Sequence, residues 1–217
     1  MRQNIKDFTG IVSKTLPIIE PIYEFGSFQV PEQIGFADLR PLFQHKKYVG
    51  CDMREGPGVD EILDLHAIDL PSNSVGTVLC FDTLEHVEYP RKALEEIQRI
   101  LKPGGIAVIS SVMDFPIHDH PHDYWRFTPE AFKSILKIFS NSFVGFQGKE
   151  SYPHTIVGIG FKGNMQPPTA FTEMYNKWQR ADDRSIRQIV LKLTPPIFLP
   201  IVAWIHRTAT GLTSSSN

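Results

Sequence analysis

Cysteine, excess charge and long apolar runs are all scarce in this sequence. Only two cysteines occur in 217 residues, and both Cys51 and Cys80 fall in stretches that predict strands, where a free thiol packs as a small hydrophobic side chain. We therefore expect neither a disulfide framework nor cysteine redox chemistry. A net charge of −2 gives no reason to expect a nucleic-acid partner.

No apolar run is long enough to cross a membrane. The C-terminal stretch at residues 194–205 is interrupted by Pro195, Pro196 and Pro200 and is shorter than the roughly 20 residues of a transmembrane helix. It can make a weak membrane-surface contact, with Trp204 at the boundary, or it can dock on the domain or on a second copy in a homodimer. The first residues lack the apolar core of a signal peptide, so we expect a cytoplasmic protein.

Residues 75–110 contain the clearest folding pattern, a βαβ unit. Residues 75–81 form an apolar run without alternation, which predicts a strand buried on both faces. Apolar and charged side chains then alternate at helical spacing over residues 90–101. A glycine turn at 103–105 and a second apolar run at 106–109 follow. A crossover of this length joins parallel strands in an open α/β sheet.

Two motifs in this unit resemble those of a known family. Residues 82–87 read DTLEHV and residues 101–105 read LKPGG, and the pair is similar to the fourth strand, fourth helix and fifth strand of class I S-adenosylmethionine-dependent methyltransferases of the type 11 kind. The resemblance covers roughly residues 22–162. It implies an α/β fold with a Rossmann-like doubly wound sheet, mostly parallel with a C-terminal antiparallel hairpin. Residues 142–148 and 155–162, two strand patterns with a short link, fit that seven-stranded fold.

We expect two parts in the chain. Residues 1–165 should form the S-adenosylmethionine-binding methyltransferase domain, and residues 166–217 a C-terminal tail with helical and apolar segments. The break at Gln166-Pro167-Pro168 marks the boundary, because paired prolines interrupt a regular pattern.

The resemblance implies S-adenosyl-L-methionine as cofactor, bound at the ends of the first two strands. Glu24, Gly26 and Ser27 stand where the family has an acidic residue and then glycines that let the backbone approach closely, but Phe28 occupies the place of a second glycine. A strand end with one turn glycine is the alternative. Asp52 is expected to accept hydrogen bonds from both ribose hydroxyls, unless it only caps the following loop.

Four further residues complete the cofactor site that the resemblance implies. Asp64 and Leu65 match an acidic and an apolar residue beside the adenine, where the carboxylate takes the amino group and the next backbone N–H meets a ring nitrogen. Asp69 is the competing assignment. Asp82 and Thr83 follow the fourth strand, at the carboxyl edge where open α/β sheets bind ligands.

Residues 114–130 have the most unusual composition in the chain, with histidines and aspartates before an aromatic and arginine cluster. A comparable DYWRFTP run occurs in a subset of the family, across the mouth of the site. We expect this segment and the DTLEHV motif to face the methyl acceptor. The candidate catalytic residues are therefore His86, His118, His120, His122 and Tyr124.

A histidine among these candidates can take a proton from a hydroxyl acceptor, and Tyr124 can exclude water. The alternatives are a structural His86, core packing of Trp125 and Phe127, and an Asp123–Arg126 pair that only holds the segment shut. No metal site is predicted, because the histidines alternate in a loop and the sequence offers no second cluster to complete a coordination shell.

The function that the resemblance implies is methyl transfer to an oxygen or nitrogen nucleophile of a small-molecule or glycan-type acceptor. Proximity and orientation supply much of the rate in such a displacement, so the sequence need not display a catalytic residue. One alternative is a non-catalytic module that binds S-adenosylmethionine, which the missing glycine at Phe28 favours. Another is a nicotinamide-dependent oxidoreductase, which would need the second and third glycines that this chain lacks.

Overall fold

The computed structural model describes residues 1–118 and 122–181. Within these residues seven strands form one sheet, and four α-helices accompany it. The strands are β1 (Ile22–Phe25), β2 (Tyr48–Asp52), β3 (Glu61–Ile62), β4 (Val75–Cys80), β5 (Leu101–Val112), β6 (Asn141–Lys149) and β7 (Tyr152–Phe161). The helices are α1 (Gln3–Thr15), α2 (Pro90–Ile100), α3 (Pro129–Ile135) and α4 (Thr169–Arg180).

The strand order across the sheet is β3-β2-β1-β4-β5-β7-β6. Every neighbouring pair from β3 to β5 is parallel, and β7 runs antiparallel to both β5 and β6. The predicted fold class is confirmed: an α/β, Rossmann-like sheet that ends in an antiparallel hairpin. Strand order reverses direction between β1 and β4, which is the place where open α/β sheets bind ligands.

The central strand β4 is buried on both faces of the sheet. Along β4, Val78 and Cys80 pack on one side with α2 and α3, whereas Leu79 on the other side packs with α1 and α4. All six residues of β4 are buried. This two-sided burial explains why the strand is a continuous apolar run rather than an alternating one.

The β5 strand begins earlier than predicted. The structure runs it from Leu101, so the glycine turn at 103–105 lies inside the strand instead of before it. The pairing with β4 shifts register between Val75–Leu101 and Thr77–Ile106, which marks an irregularity around the turn. Gly104 has a φ of +81°, a conformation that glycine adopts without strain.

Helix α4 belongs to the domain rather than to a separate tail. Its residues Phe171, Tyr175 and Trp178 are buried, and Phe8 of α1 contacts both Phe171 and Trp178. Any side chain at Gly145 would collide with the Tyr175 ring, so this glycine allows the helix to approach β6. The compact unit accordingly extends from Met1 to Arg180, and the boundary lies later than the predicted one after residue 165.

The structure also bears on the two cysteines, the start of α3 and the question of membrane-spanning helices. Cys51 and Cys80 are buried free thiols in strands, as predicted. Thr128 accepts a hydrogen bond from the Ala131 N–H at the start of α3, as a threonine at the N-cap position commonly does. Residues 194–205 lie outside the described residues. Among the residues that are described, no helix combines the length and apolar character that a membrane crossing requires.

Replacing Phe171 with alanine should lower the free energy of unfolding by about 3–5 kcal/mol, because it leaves a cavity between α1, α4 and the sheet. Denaturation in urea measures the change. Glu173→Ala, on the exposed side of the same helix, is the matched control and should change the free energy of unfolding by less than about 1 kcal/mol. Equal stability of the two variants would exclude α4 from the core.

Candidate active site

A cleft of about 570 Å³ opens at the carboxyl ends of the parallel strands. This volume is within the range of small-molecule sites. All the residues predicted to hold the cofactor line it, although they come from four strand ends: Glu24, Gly26, Ser27, Asp52, Asp64, Leu65, Asp82 and Thr83. Asp69, the competing assignment for Asp64, is exposed and is not part of the described lining.

The carboxyl group of Glu24 lies almost completely buried at the end of β1. The Tyr48 hydroxyl donates a 2.7 Å hydrogen bond to its Oε2. Burial raises the pKa of Glu24 from 4.5 to about 7, since a low-dielectric environment disfavours the charged form. This residue is therefore poised between its neutral and charged forms near neutral pH.

The turn after β1 packs closely against the Thr83 side chain. Gly26 has a φ of +83°, and a Cβ there would overlap the Thr83 hydroxyl, so only glycine fits without displacement. The neighbouring Ser27 Oγ is buried and has no hydrogen-bond partner in the part of the chain that the structure describes. An unsatisfied buried hydroxyl on the wall of a cleft is what a polar ligand would satisfy.

The turn after β1 accommodates Phe28 in place of a second glycine because the Phe28 side chain packs against a neighbouring loop. The Arg54 guanidinium lies 4.3 Å from the centre of the Phe28 ring, and a Cβ on Gly56 would overlap that ring. The aromatic side chain is thus packed against the loop after β2. Phe28 forms part of the cleft wall instead of closing the cleft.

Asp52 and Asp64 are held by local hydrogen bonds. Asp52 Oδ1 accepts from the Arg54 N–H at 3.1 Å, and Asp64 Oδ1 accepts from the His66 N–H at 2.8 Å. These bonds to residues two positions ahead orient both side chains at strand ends. Asp52 can therefore cap the following loop and line the cleft at the same time.

Asp82 is engaged by a residue that the sequence did not reveal. The Arg2 guanidinium donates to Asp82 Oδ1 at 2.7 Å and Oδ2 at 2.9 Å, and the Ser110 hydroxyl donates to Oδ1 at 2.8 Å. Burial alone would raise the pKa of Asp82, but Arg2 and Ser110 hold it below its usual value. No local pattern signals Arg2, because the pair joins residues 80 positions apart.

Glu85 and His86 line the same cleft, together with His118. The Glu85 side chain is fully buried, and burial together with nearby Asp82 raises its pKa from 4.5 to about 8. The rings of His86 and His118 lie edge to face with their centres 4.7 Å apart. The structure therefore brings together two of the five predicted catalytic residues, from segments far apart in the sequence.

The remaining candidates are placed differently. His122 and Tyr124 are exposed and do not line the described cleft, and His120 lies outside the described residues. Asp123 and Arg126 pair through two hydrogen bonds, and Arg126 also donates to the Phe115 carbonyl at 3.1 Å. The predicted alternative, in which this pair holds the segment shut, matches these contacts.

The aromatic residues of the segment divide between core and surface. Phe127 is buried, with its ring centre 5.4 Å from that of Phe132, so core packing is confirmed for this residue. Trp125 is 44% exposed, and its indole N–H donates to the Val87 carbonyl at 3.0 Å. Trp125 therefore attaches the segment to the turn after β4 rather than filling the core.

Comparison with known proteins agrees with this arrangement. The family model described as "Methyltransferase domain" matches residues 43–109, which include β2, β4, α2 and the DTLEHV and LKPGG motifs. Over residues 43–109 the chain is therefore similar to methyltransferase domains.

Solved methyltransferase structures share the fold of this domain. A SAM-dependent methyltransferase from Archaeoglobus fulgidus is 15% identical with a TM-score of 0.57, covering 75% of this chain and 95% of that one. A SAM-dependent methyltransferase from Thermotoga maritima, described as a possible histamine N-methyltransferase, is 18% identical with a TM-score of 0.52, covering 73% and 89%. At such identities the likeness establishes the fold alone.

One curated relative extends well beyond the methyltransferase domain. An uncharacterized 37.1 kDa protein in transposon Tn4556 of Streptomyces fradiae is 25% identical over 168 residues. The match covers 71% of this chain and 45% of the relative. The chain therefore spans less than half the length of that protein.

Replacing Glu24 with glutamine should remove a pH dependence of stability. Below pH 4.5 Glu24 is protonated in both the folded and the unfolded chain; between pH 4.5 and about 7 only the unfolded chain loses the proton, so the free energy of unfolding of the wild type falls as pH rises. The variant has no such proton to lose. Its stability relative to wild type should therefore increase across this window, by up to roughly 3 kcal/mol.

Urea denaturation at several pH values from 4.5 to 8 measures this difference. Glu95→Gln, on the exposed face of α2, is the matched control. A constant difference between Glu24→Gln and wild type across the window would show that Glu24 titrates alike in the folded and unfolded chains.

Proposed function

We propose that this chain transfers the methyl group of S-adenosylmethionine to an oxygen or nitrogen nucleophile of a small-molecule or glycan-type acceptor. One observation carries the proposal: a single cleft is lined both by the residues expected to hold the methyl donor, here called the donor wall, and by His86 and His118, here called the acceptor wall. A binding module would need only the first wall. Histidines on the second wall supply groups that can accept a proton.

The donor wall suits S-adenosylmethionine, which supplies an electrophilic methyl group on its sulfonium when bound. Asp52 can accept hydrogen bonds from the ribose hydroxyls, and Asp64 and Leu65 offer a carboxylate and a backbone N–H to the adenine. The Ser27 hydroxyl, buried and without a described partner, can bond a polar group of the same ligand. Gly26 lets the backbone approach closely, since it presents no Cβ.

The acceptor wall can orient a nucleophile and take its proton. The His86 ring is held by a hydrogen bond between its Nδ1 and the His122 carbonyl, so in the neutral ring Nε2 carries the lone pair. His118 is half-exposed beside it. A hydroxyl acceptor needs a base within hydrogen-bond reach, and these histidines are the candidates on the wall.

The rival functions are less well supported. Phe28 packs against the Arg54 loop, so the missing glycine does not block the cleft, and that weakens the case for a module without catalysis. The antiparallel β5-β7-β6 arrangement favours the methyltransferase sheet over the nicotinamide-dependent one. A small-molecule acceptor, a cytoplasmic location, a homodimer and a weak membrane contact through residues 194–205 remain predictions about the whole protein.

Asp52→Asn should weaken S-adenosylmethionine binding by about 1–3 kcal/mol, because a charged hydrogen-bond acceptor at the ribose is lost. Isothermal titration calorimetry measures the affinity. Asp69→Asn is the matched control and should bind like wild type, while Asp64→Asn should lose affinity. Wild-type affinity in Asp52→Asn would remove this residue from the site, and stabilisation by nicotinamide dinucleotides instead of S-adenosylmethionine would reject the proposal.

His118→Ala should lower methyl transfer by at least about a hundredfold, the lower end of the usual contribution of a general base, without changing the affinity for S-adenosylmethionine. The measurement uses S-adenosylmethionine carrying a tritiated methyl group and a panel of hydroxyl and amine acceptors. His45→Asn, which changes an exposed histidine that is not among the residues lining the cleft, should keep wild-type turnover. Turnover by His118→Ala at the wild-type rate would leave only His86 as the base on this wall.

A further inference from the structure

Three potential metal ligands meet on the acceptor wall. Glu85 and His86 lie in the single helical turn after β4, and His118 follows β5. One ligand atom from each residue can be chosen so that all three lie within 4.8 Å of one another. A zinc ion about 2.0–2.2 Å from its ligands holds the ligand atoms roughly 3.3 Å apart. Modest rotation of the three side chains brings their ligand atoms to that spacing.

Only one of the two carboxyl oxygens of Glu85 is hydrogen-bonded among the described residues. Its Oε2 accepts a 2.6 Å hydrogen bond from the Ser111 hydroxyl, but its Oε1 is buried and has no hydrogen-bond partner among the described residues. A buried polar atom without a partner is destabilising, and more so when it is charged. Because the residue lines the cleft, the missing partner can come from a bound ligand.

Both histidines are oriented as metal ligands usually are. Nδ1 of His86 bonds the His122 carbonyl, and Nδ1 of His118 lies 3.1 Å from the Pro116 carbonyl and 3.3 Å from Asp123 Oδ2. Carbonyl and carboxylate oxygens only accept, so each neutral ring carries its proton on Nδ1 and its lone pair on Nε2. Ligand histidines are typically fixed in this way through the other ring nitrogen.

Backbone contacts hold the two segments of the cluster together. The N–H groups of Tyr124 and Trp125 both donate to the Glu85 carbonyl, at 2.8 Å and 3.1 Å. Asp123 accepts from the His118 N–H at 2.7 Å and is itself held by Arg126. Hydrogen bonds between the two segments therefore hold the three side chains of the cluster in position.

We propose that Glu85, His86 and His118 bind one divalent transition-metal ion of the Zn²⁺ class. Two imidazoles and one carboxylate suit Zn²⁺, Fe²⁺ or Co²⁺, whereas Mg²⁺ and Ca²⁺ prefer shells made of oxygen. Three protein ligands leave at least one coordination position for an oxygen ligand from the cleft. That this oxygen belongs to the methyl acceptor rests on the proposed function; binding of the ion does not.

The test is a titration of the full chain, first treated with a chelator, with Co²⁺ in the absence of S-adenosylmethionine. The wild type should bind one Co²⁺ per chain with visible d–d absorption that Zn²⁺ abolishes. His118→Ala and Glu85→Gln should each weaken binding at least tenfold. His45→Asn should bind like wild type, since its exposed ring lies outside the cluster.

Circular dichroism and urea denaturation establish that each variant is folded. If the buried Glu85→Gln variant fails to fold, the half-exposed His118→Ala variant decides the outcome. Absence of stoichiometric Co²⁺ binding by the wild type, or wild-type affinity in His118→Ala, overturns the proposal. Calorimetry with S-adenosylmethionine separates the two hypotheses, because Co²⁺ binding without donor binding contradicts only the proposed function, and the reverse contradicts only the metal site.

Discussion

Burial of β4 on both faces is the constraint on which the rest of this structure depends. The strand is covered by α2 and α3 on one side and by α1 and α4 on the other, so the chain can become polar only where the strand ends. Asp82 and Glu85 follow at once, in surroundings that remain largely apolar. Each needs a compensating partner, because a buried charge or polar atom is costly when unpaired. Arg2 and Ser110 serve Asp82, and Ser111 serves one oxygen of Glu85.

The acceptor wall is a consequence of the same strand end. The carbonyl of Glu85 accepts the N–H groups of Tyr124 and Trp125, and the His86 ring meets the His122 carbonyl. Two loops that follow neighbouring parallel strands are thereby joined into one surface. The polar residues of each loop face the same cleft because the carboxyl ends of parallel strands meet at one edge of the sheet.

The donor wall shows how a departure from a family pattern is accommodated. A second glycine normally lets the backbone pass close to the ligand, and Phe28 lacks that freedom. Its ring packs on the Arg54 side chain and against Gly56, so a glycine in the loop after β2 makes room for the aromatic ring in the loop after β1. The close approach itself is retained at Gly26, whose positive φ and contact with Thr83 exclude a side chain.

The parallel βαβ unit and helix α2 were predicted by the periodicity of the sequence, which is a local property, and the residues of the donor wall were expected from the family resemblance. Glu24, Asp52, Asp64 and Asp82 each stand at a strand end that the pattern predicts, and the edge of the sheet brings them together. Tertiary structure alone decided the partners that come from distant segments. Arg2 reaches Asp82, helix α4 completes the core beyond the predicted boundary, and His118 joins Glu85 and His86. Long-range contacts of this kind leave no periodic signal, since they depend on how loops cross after the sheet has formed.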